Sequence, residues 1–311
     1  NFSRKVFYSG LWDDVVVKAR GLFVDAATGE IVARSYDKFF NVGERDDTAM
    51  AALRERLRFP VTAWVKENGF LGIVGYDRAT DGLFASSKST PDGDFAGWFR
   101  EILADTLPGR GQREALKRFL RDTESSMAFE VIDPVREPHM IEYDAPKLVL
   151  LDVIRRATEF EKLPEGQLER VGKRFGLEVK QRGPRFKDFA SLEGWHRRVT
   201  QDMAKRIEGY VLEDASGFQV KVKLPFYSHW KWMRGLKDAI LRERAGGKPA
   251  RLDGLADLAA RRGLPAECGP LAERFRDWCL RQDTETLERD IISLRRSFME
   301  VEPEAVPSPV P

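Results

Sequence analysis

An α+β fold is predicted, in which antiparallel strands with flanking helices are followed by a small all-helical C-terminal part. Three observations predict it. Short apolar or alternating runs recur as far as Lys223, stretches with helical spacing lie between them, and beyond Lys223 only helical spacing remains. A chain of 311 residues can bury a full core and has room for a second, smaller domain. The expected division is a main domain over residues 1–236, a helical domain over 237–300 and a Pro-rich, disordered tail over 301–311.

In chain order, Asp13 to Ala19 alternates and favours Val, which predicts a strand, and a β-hairpin turned on Thr28-Gly29 follows. Asp46 to Leu57 reads as a helix capped by Asp47 or Thr48 and closed by Pro60. Thr62 to Lys66 is an apolar run that delivers a lysine to its end. Past the Gly69 bend the chain returns through a hairpin turned at Arg78 to Gly82. Helical spacing covers 95–107 and 113–120, separated by Pro108-Gly-Arg-Gly111. Met127 to Ile132 and Leu148 to Ile154 are strands bearing one acid each, Glu130 and Asp152. Residues 164–205 look helical and loop-like, and Glu208 to Lys223 forms a third hairpin turned at Ala215-Ser-Gly217. Helices are expected at 226–245, 252–262, 269–281 and 285–299.

Composition excludes several classes. Lys and Arg total 52 against 50 Asp and Glu, so any argument for a polyanionic partner must be local. Cys268 and Cys279 lack the spacing of a metal knuckle and read as buried or free thiols. Three scattered histidines, His139, His196 and His229, make neither a zinc site nor a Ser/His/Asp arrangement. No run approaches the length of a membrane span and the opening residues carry no signal pattern, so a cytoplasmic protein without membrane contact is expected.

Phosphate loops are dismissed. Gly246-Gly-Lys248 has Arg242 where a Walker motif needs glycine and Pro249 in place of Ser or Thr. Lys66-Glu67-Asn68-Gly69 is either a nucleophile site or a solvated turn, since Lys-x-x-Gly occurs about once by chance in a chain of this length. In Lys221-Val-Lys223 two lysines share one strand face, where they repel unless an anion sits between them or water solvates them. The carboxylate of Glu208 can reach a sugar hydroxyl or a divalent metal. Residues 173–198 interleave Lys173, Arg174, Lys180, Arg182, Arg185, Lys187, Arg197 and Arg198 with Phe175, Phe186, Phe189 and Trp195. That stretch suits single-stranded RNA, although core aromatics with a wet charged face is the favoured reading. Trp230, Trp232 and Trp278 read as packing residues of the helical domain.

Taken in order, Arg20-Gly, Lys38-Phe-Phe-Asn, Lys66-Glu-Asn-Gly, Ser87-Lys88, Phe129-Glu130, Glu208-Gly-Tyr-Val and Lys221-Val-Lys223 resemble the motifs of the covalent nucleotidyltransferases. The likeness covers about residues 15–236. Lys38-Phe-Phe-Asn and Lys223-Leu-Pro-Phe-Tyr227-Ser point to the branch of phage T4 RNA ligase 1 and the ligase module of fungal tRNA ligases. Asn68 departs from the usual Asp.

The resemblance implies a nucleotidyltransferase domain of ATP-grasp-like ligase type, and an ATP-dependent RNA ligase using Mg2+ or Mn2+. Lys66 would attack the α-phosphorus of ATP, for which it must be a neutral amine, rare for a lysine of ordinary pKa ~10.4. The AMP would pass to an RNA 5′-phosphate, and a 3′-hydroxyl would displace it, in RNA or tRNA repair. Arg20 and Lys38 would hold the β and γ phosphates and Lys221 and Lys223 the α. Glu130 would accept from the ribose, Glu208 would serve the metal, and Phe40 and Val211 would flank the adenine. Glu67, Gly69, Lys88 and Tyr227 would complete the nucleotide pocket. The expected partner is RNA with single-stranded ends or broken anticodon loops, and the expected state a monomer. A DNA ligase or RNA capping guanylyltransferase shares these motifs, and a catalytically silent RNA-binding protein could keep the fold. The first two usually continue into a β-barrel, where helices are expected here.

Overall fold

The computed structural model describes residues 2–302. In chain order the elements are α1 (Arg4–Ser9), α2 (Asp14–Lys18), β1 (Leu22–Val24), β2 (Ile31–Arg34), α3 (Met50–Arg56), β3 (Val61–Lys66), β4 (Phe70–Asp77), β5 (Gly82–Ser87), α4 (Asp94–Thr106) and α5 (Arg110–Asp122). Then come β6 (Ser125–Ile132), β7 (Lys147–Arg155), α6 (Glu165–Phe175), β8 (Glu178–Val179), β9 (Arg182–Phe186), α7 (Phe189–Val199), β10 (Gly209–Glu213) and β11 (Gln219–Lys223). Five helices follow: α8 (Pro225–Arg244), α9 (Leu255–Arg261), α10 (Cys268–Arg281), α11 (Thr284–Glu288) and α12 (Ile291–Val301). The chain divides into two compact units, one built from Asn1–Phe39, Gly69–Glu137 and Tyr143–Gln181, the other from Phe40–Asn68, Pro138–Glu142 and Arg182–Pro311.

The first unit holds a sheet of order β5-β4-β6-β7-β8, antiparallel except for the short β7–β8 pair, and the β1–β2 ribbon. Both faces of its central strands are covered. Val74, Met127, Phe129 and Leu150 pack with Phe99, Leu116, Leu120 and Phe175 of the helices. Ile73, Ala128 and Ile154 pack with Ala33 and Tyr36 on the other face. This two-sided burial is why β6 reads as a continuous apolar run rather than an alternation.

The second unit holds the antiparallel sheet β11-β10-β3-β9. Here the strands alternate. Val61, Ala63, Tyr210, Leu212, Val220 and Val222 turn to a core closed by Leu53, Leu192 and Trp195. The opposite face is left with Trp64, Lys66, Val211, Lys221 and Lys223. Helices α8 to α12 pack around Trp230, Phe275, Trp278 and Phe298, whose rings meet edge-on or stacked at 5.2–6.4 Å. Trp230 and Trp278 are thus packing residues, and Trp232 lies under the Arg262 guanidinium. Residue 236, where a separate helical domain was expected to start, falls inside α8. The tail expected over 301–311 lies, from residue 303, outside the described residues.

Four local expectations need correction. The predicted strand over Asp13 to Ala19 is helix α2, because the Asp13 carboxylate accepts from the Val15 and Val16 amides and caps the helix against the β preference of its valines. The single helix from Asp46 is a short 3₁₀ turn (Asp46–Thr48) followed by α3. The single helix at 285–299 breaks at Arg289, where the Asp290 side chain caps α12. Residues 164–205 contain the unexpected strand β9. Cys268 and Cys279 are buried free thiols that burial pushes up to about 12, as inert as their spacing suggests.

Candidate active site

The sheet of the second unit sets its functional side chains in rows. Lys66 stands opposite Gly209, which stands opposite Lys223 on its other side, and Trp64, Val211 and Lys221 form the next row two residues along. Period-2 alternation puts both rows on the face turned away from the core. Gly209 has no side chain, so the central position of the first row is open between the two lysines.

Glu208 precedes that glycine and is 6% exposed along its side chain. Its Oε2 lies 2.9 Å from the Lys66 ammonium and its Oε1 3.9 Å from that of Lys223. Burial alone would push this carboxyl up. The charges of Lys66 and Lys223, with hydrogen bonds from Lys66 and Asn68, outweigh it and hold Glu208 below the usual carboxylate range. Lys223 is shifted the same way for a different reason: desolvation disfavours its ammonium, Glu208 opposes this, and Lys231 and Lys66 add to it. Tyr227, on the first turn of α8, lies with its ring centroid 5.1 Å from the Lys223 Nζ.

Asn68, which departs from the usual Asp, bridges two segments. Its amide donates to Glu208 Oε2 at 2.9 Å while its carbonyl oxygen accepts from the Met140 and Ile141 amides at 3.0 and 3.3 Å. An aspartate would keep the two acceptor contacts and set a second carboxylate against Glu208. Asn68→Asp is therefore expected to raise the Glu208 pKa and destabilise the protein by about 2 kcal/mol. The sign follows from linkage: a depressed carboxyl contributes stability above its unfolded value, lost as pH falls through the folded one. In the variant the folded value lies nearer the unfolded one, so the loss is smaller and is complete at a higher pH. Denaturant unfolding from pH 8 to 4 checks this, and an unchanged pH profile would refute it.

The first unit carries a second cluster. Arg20, at the end of the α2 turn, has its Nη1 buried without a hydrogen-bond partner; burial lowers its pKa, offset by the charges of Glu130 and Tyr36. Glu130, on β6, accepts the Gly69 amide at 2.8 Å. A methyl group on Gly69 would stand 2.1 Å from the Val131 carbonyl oxygen, so only glycine fits this approach. Lys88 is exposed overall, yet desolvation and then the Arg20 charge lower its pKa. The Lys38 ammonium contacts the Phe39 carbonyl at 3.1 Å and lies 5.2 Å from the Trp12 ring centroid.

Of the remaining expected residues, Phe40 belongs to the second unit, where its carbonyl accepts the Lys221 amide and the Arg45 guanidinium covers its ring. Glu67 offers its carbonyl to the Lys66 ammonium. The basic-aromatic stretch over 173–198 does not form one surface. Phe175, Phe186 and Trp195 are buried, and Lys180 is buried against Asp152 at 2.6 Å. Sequence reasoning missed Met140 and Ile141, which serve Asn68 through backbone amides and so leave no side-chain signal.

The second unit, taken by itself, offers one lysine held against a buried carboxylate with further cations on the same strand face; the first unit, taken by itself, offers a buried guanidinium nitrogen lacking an acceptor. A phosphate-bearing ligand supplies what that nitrogen lacks. Among the described residues no group of three or more His, Cys, Asp and Glu side chains could cage a metal ion. Glu208 fits instead the mode in which one carboxylate and a ligand's phosphates hold a divalent ion.

A protein-family model described as RNA ligase matches residues 18–227. A Thermovibrio ammonificans protein provisionally named as an RNA ligase is 26% identical over 216 residues, 67% of this chain and 51% of that protein. tRNA ligase 1 of Schizosaccharomyces pombe is 30% identical over 158 residues, 45% of this chain and 19% of that protein. The chain thus spans about half the length of the first relative and a fifth of the second. Among solved structures, an archaeal ATP-dependent RNA ligase has a TM-score of 0.53 over 92% of this chain and 68% of that one, at 14% identity. A protein of Aquifex aeolicus provisionally titled as an ATP-dependent DNA ligase has 0.51 over 94% and 70%, also at 14%. At such identity the likeness is one of fold.

Proposed function

The chain belongs to the T4-type RNA ligase family, and on that premise we propose that it is an ATP-dependent enzyme joining RNA 5′-phosphate and 3′-hydroxyl ends through an AMP adduct on Lys66. The observation that carries the reading is Lys66 held 2.9 Å from the buried Glu208 carboxylate, in register with Gly209 and Lys223.

Lys66 sheds a proton to solvent, its nitrogen lone pair forms an N–P bond to the α-phosphorus of ATP, and the nitrogen then releases a second proton to solvent to leave the neutral phosphoramidate nitrogen. The bond from that phosphorus to the bridging oxygen breaks, and pyrophosphate carries away the electron pair. Glu208, held ionised, orients the amine rather than keeping its proton. Lys221 and Lys223 stabilise charge developing on the transferring phosphoryl group, and Arg20 and Lys38 bind the β and γ phosphates. Glu130 accepts from the ribose, Phe40 and Val211 flank the adenine, and Glu67, Gly69, Lys88 and Tyr227 shape the pocket. A divalent ion, Mg2+ or Mn2+, held by Glu208 and the nucleotide phosphates would supply further neutralisation of charge. An oxygen of the RNA 5′-phosphate then attacks the AMP phosphorus, the N–P bond breaks and its electron pair returns to the Lys66 nitrogen, which takes up a proton from solvent. The 3′-hydroxyl loses its proton to solvent and attacks the 5′-phosphorus, AMP leaves with the bridging oxygen, and the new phosphodiester is formed.

RNA is favoured over DNA because every element after β11 among the described residues is helical, where DNA ligases and capping enzymes usually carry a β-barrel. The proposed setting is RNA repair by a cytoplasmic monomer, with tRNA as one candidate substrate. Incubation with α-labelled ATP and Mg2+ is expected to leave acid-stable label on the protein. A protein that takes no label from ATP or GTP would overturn the enzyme reading. Offered RNA ends and nicked DNA in parallel, it should seal the RNA, and sealing of DNA alone would overturn the substrate.

A further inference from the structure

Two residues of the basic stretch over 173–198 reach the sheet that carries Lys66. Strand β9 forms the edge of that sheet, with Arg185 opposite Thr62 and Arg182 opposite Trp64. Between these pairs Gly183 and Pro184 of β9 stand against the single Ala63 of β3, which makes a β-bulge. The local sequence suits it: Pro184 has no amide to give the ladder, and a methyl group on Gly183 would stand 2.9 Å from the Ala63 carbonyl oxygen.

The bulge decides where the arginines point. Three residues apart on a regular strand, they would leave by opposite faces; the extra residue returns both to one. That face is the one turned away from the core, since Val61, Ala63 and Phe186 supply the core and Thr62, Trp64 and their partners alternate with them. The Arg182 guanidinium accordingly lies over the Trp64 ring, 5.9 Å from its centroid. Both arginines are exposed, and Arg185 makes no ion pair among the described residues.

The arginines extend the rows of the candidate site. One row runs Lys221, Val211, Trp64, Arg182, and the next Gln219, Glu213, Thr62, Arg185. The residues assigned to AMP on this sheet, Val211, Lys221 and Lys223, stand on β10 and β11, to one side of Lys66. Arg182 stands to its other side, one strand over and two residues along, about 8 Å from Lys66 between backbones, and Arg185 lies farther along the same edge. Glu213 is the one acid in these rows. It is two strands from Arg185, about 10 Å, and accepts from the Gln219 amide at 3.3 Å. A polyanion leaving Lys66 on the side away from AMP therefore meets Arg182 and then Arg185.

We propose that Arg182 and Arg185 hold successive backbone phosphates of the single-stranded RNA whose 5′ end receives AMP from Lys66. The assignment rests on the RNA ligase reading above. Bulges beside reactive groups serve to re-aim side chains, and a guanidinium matches a phosphate through paired N–H donors. Trp64 is 7% exposed and covered by Arg182, so the strip opens no aromatic face to a base. Its contact is to the backbone, which positions a strand without reading its sequence.

Salt dependence tests it. Arg182→Gln and Arg185→Gln each remove one charge at an exposed position, and Arg251→Gln, exposed in the helical part of the same unit, controls for bulk charge. Binding of a labelled 5′-phosphorylated oligoribonucleotide is followed by fluorescence anisotropy from about 50 to 200 mM salt. Each β9 variant is expected to bind about three- to tenfold more weakly at the low-salt end. Each should also lower the slope of log affinity against log salt by about 0.7, and the double variant by about 1.4, with the control changing neither. Oligo(A) and oligo(U) should lose alike. An unchanged slope in the double variant overturns the proposal, and so does a loss confined to one base sequence. Charged residues also keep sheet edges from pairing between molecules. Variants that self-associate on gel filtration while keeping wild-type affinity and slope would assign the arginines that role instead. Absence of AMP label in the wild type overturns the ligase reading, and the slopes still decide whether the two arginines hold RNA.

Discussion

Lys66→Ala should leave no detectable AMP on the protein, a loss of at least about 1,000-fold in the first step. Lys221 and Lys223 stand on a different strand, β11, held in register by pairing with β10. Lys66→Arg should fail as completely, although it keeps the positive charge opposite Glu208, because a guanidinium stays protonated and offers no lone pair. The fold should survive. Removing the ammonium costs Glu208 one partner but leaves the Asn68 amide at 2.9 Å and Lys223 at 3.9 Å, so destabilisation of about 1–2 kcal/mol is expected. The separating measurement is bypass: given RNA whose 5′ end already carries AMP, Lys66→Ala should still seal it, since that bond-forming step consumes no amine. Failure of the bypass in a variant with native thermal unfolding would assign Lys66 a binding role instead. Retained labelling would remove the nucleophile from Lys66 altogether.

How much of this site could be read from the chain depends on how each residue acts. Lys221 and Lys223 were legible because they alternate with valines that turn to the core, and Glu130 because one acid interrupts an otherwise apolar strand. Arg20 and Lys38 had only order along the chain to recommend them, and a family pattern was needed to connect them with Glu208. Strand β9 escaped because Arg182-Gly-Pro-Arg lacks alternation and carries a proline. It forms the edge of its sheet, the place where a missing amide does no harm. Helix α2 escaped because one capping carboxylate outweighs three valines. Met140 and Ile141 left no trace at all, since a backbone amide is the same in every residue. Arg295 looked like an ordinary helical charge, and only the structure shows it buried between Met140 and Glu142. Asp152 was read as one acid in an apolar strand, and its partners Tyr36, Lys162 and Lys180 come from separate parts of the chain.

Gly209→Ala is the second variant expected to act strongly, through the backbone rather than the chemistry. Gly209 has φ 155°, and a methyl group there would stand 2.0 Å from the Val222 carbonyl oxygen and 3.0 Å from the Lys223 Cα. Neither atom belongs to a flexible side chain, so β11 must move away from β10. That movement carries Lys223 out of the row it shares with Lys66, and it disturbs the burial of Val220 and Val222 in the core behind. A cost of about 2–4 kcal/mol is expected, lowering Tm by about 5–10 °C. AMP labelling, measured where circular dichroism shows the variant folded, should fall by at least about 100-fold because the lysines no longer converge. Gly217→Ala is the control: φ is positive there too, at 86°, in the turn of the same hairpin, but nothing lies within 4 Å of the added methyl. It should show only the conformational penalty of about 1 kcal/mol and label within about twofold of wild type. If the two variants behave alike, the close approach of β10 and β11 at Gly209 does not set the spacing of the lysines, and their alignment must come from Glu208 alone.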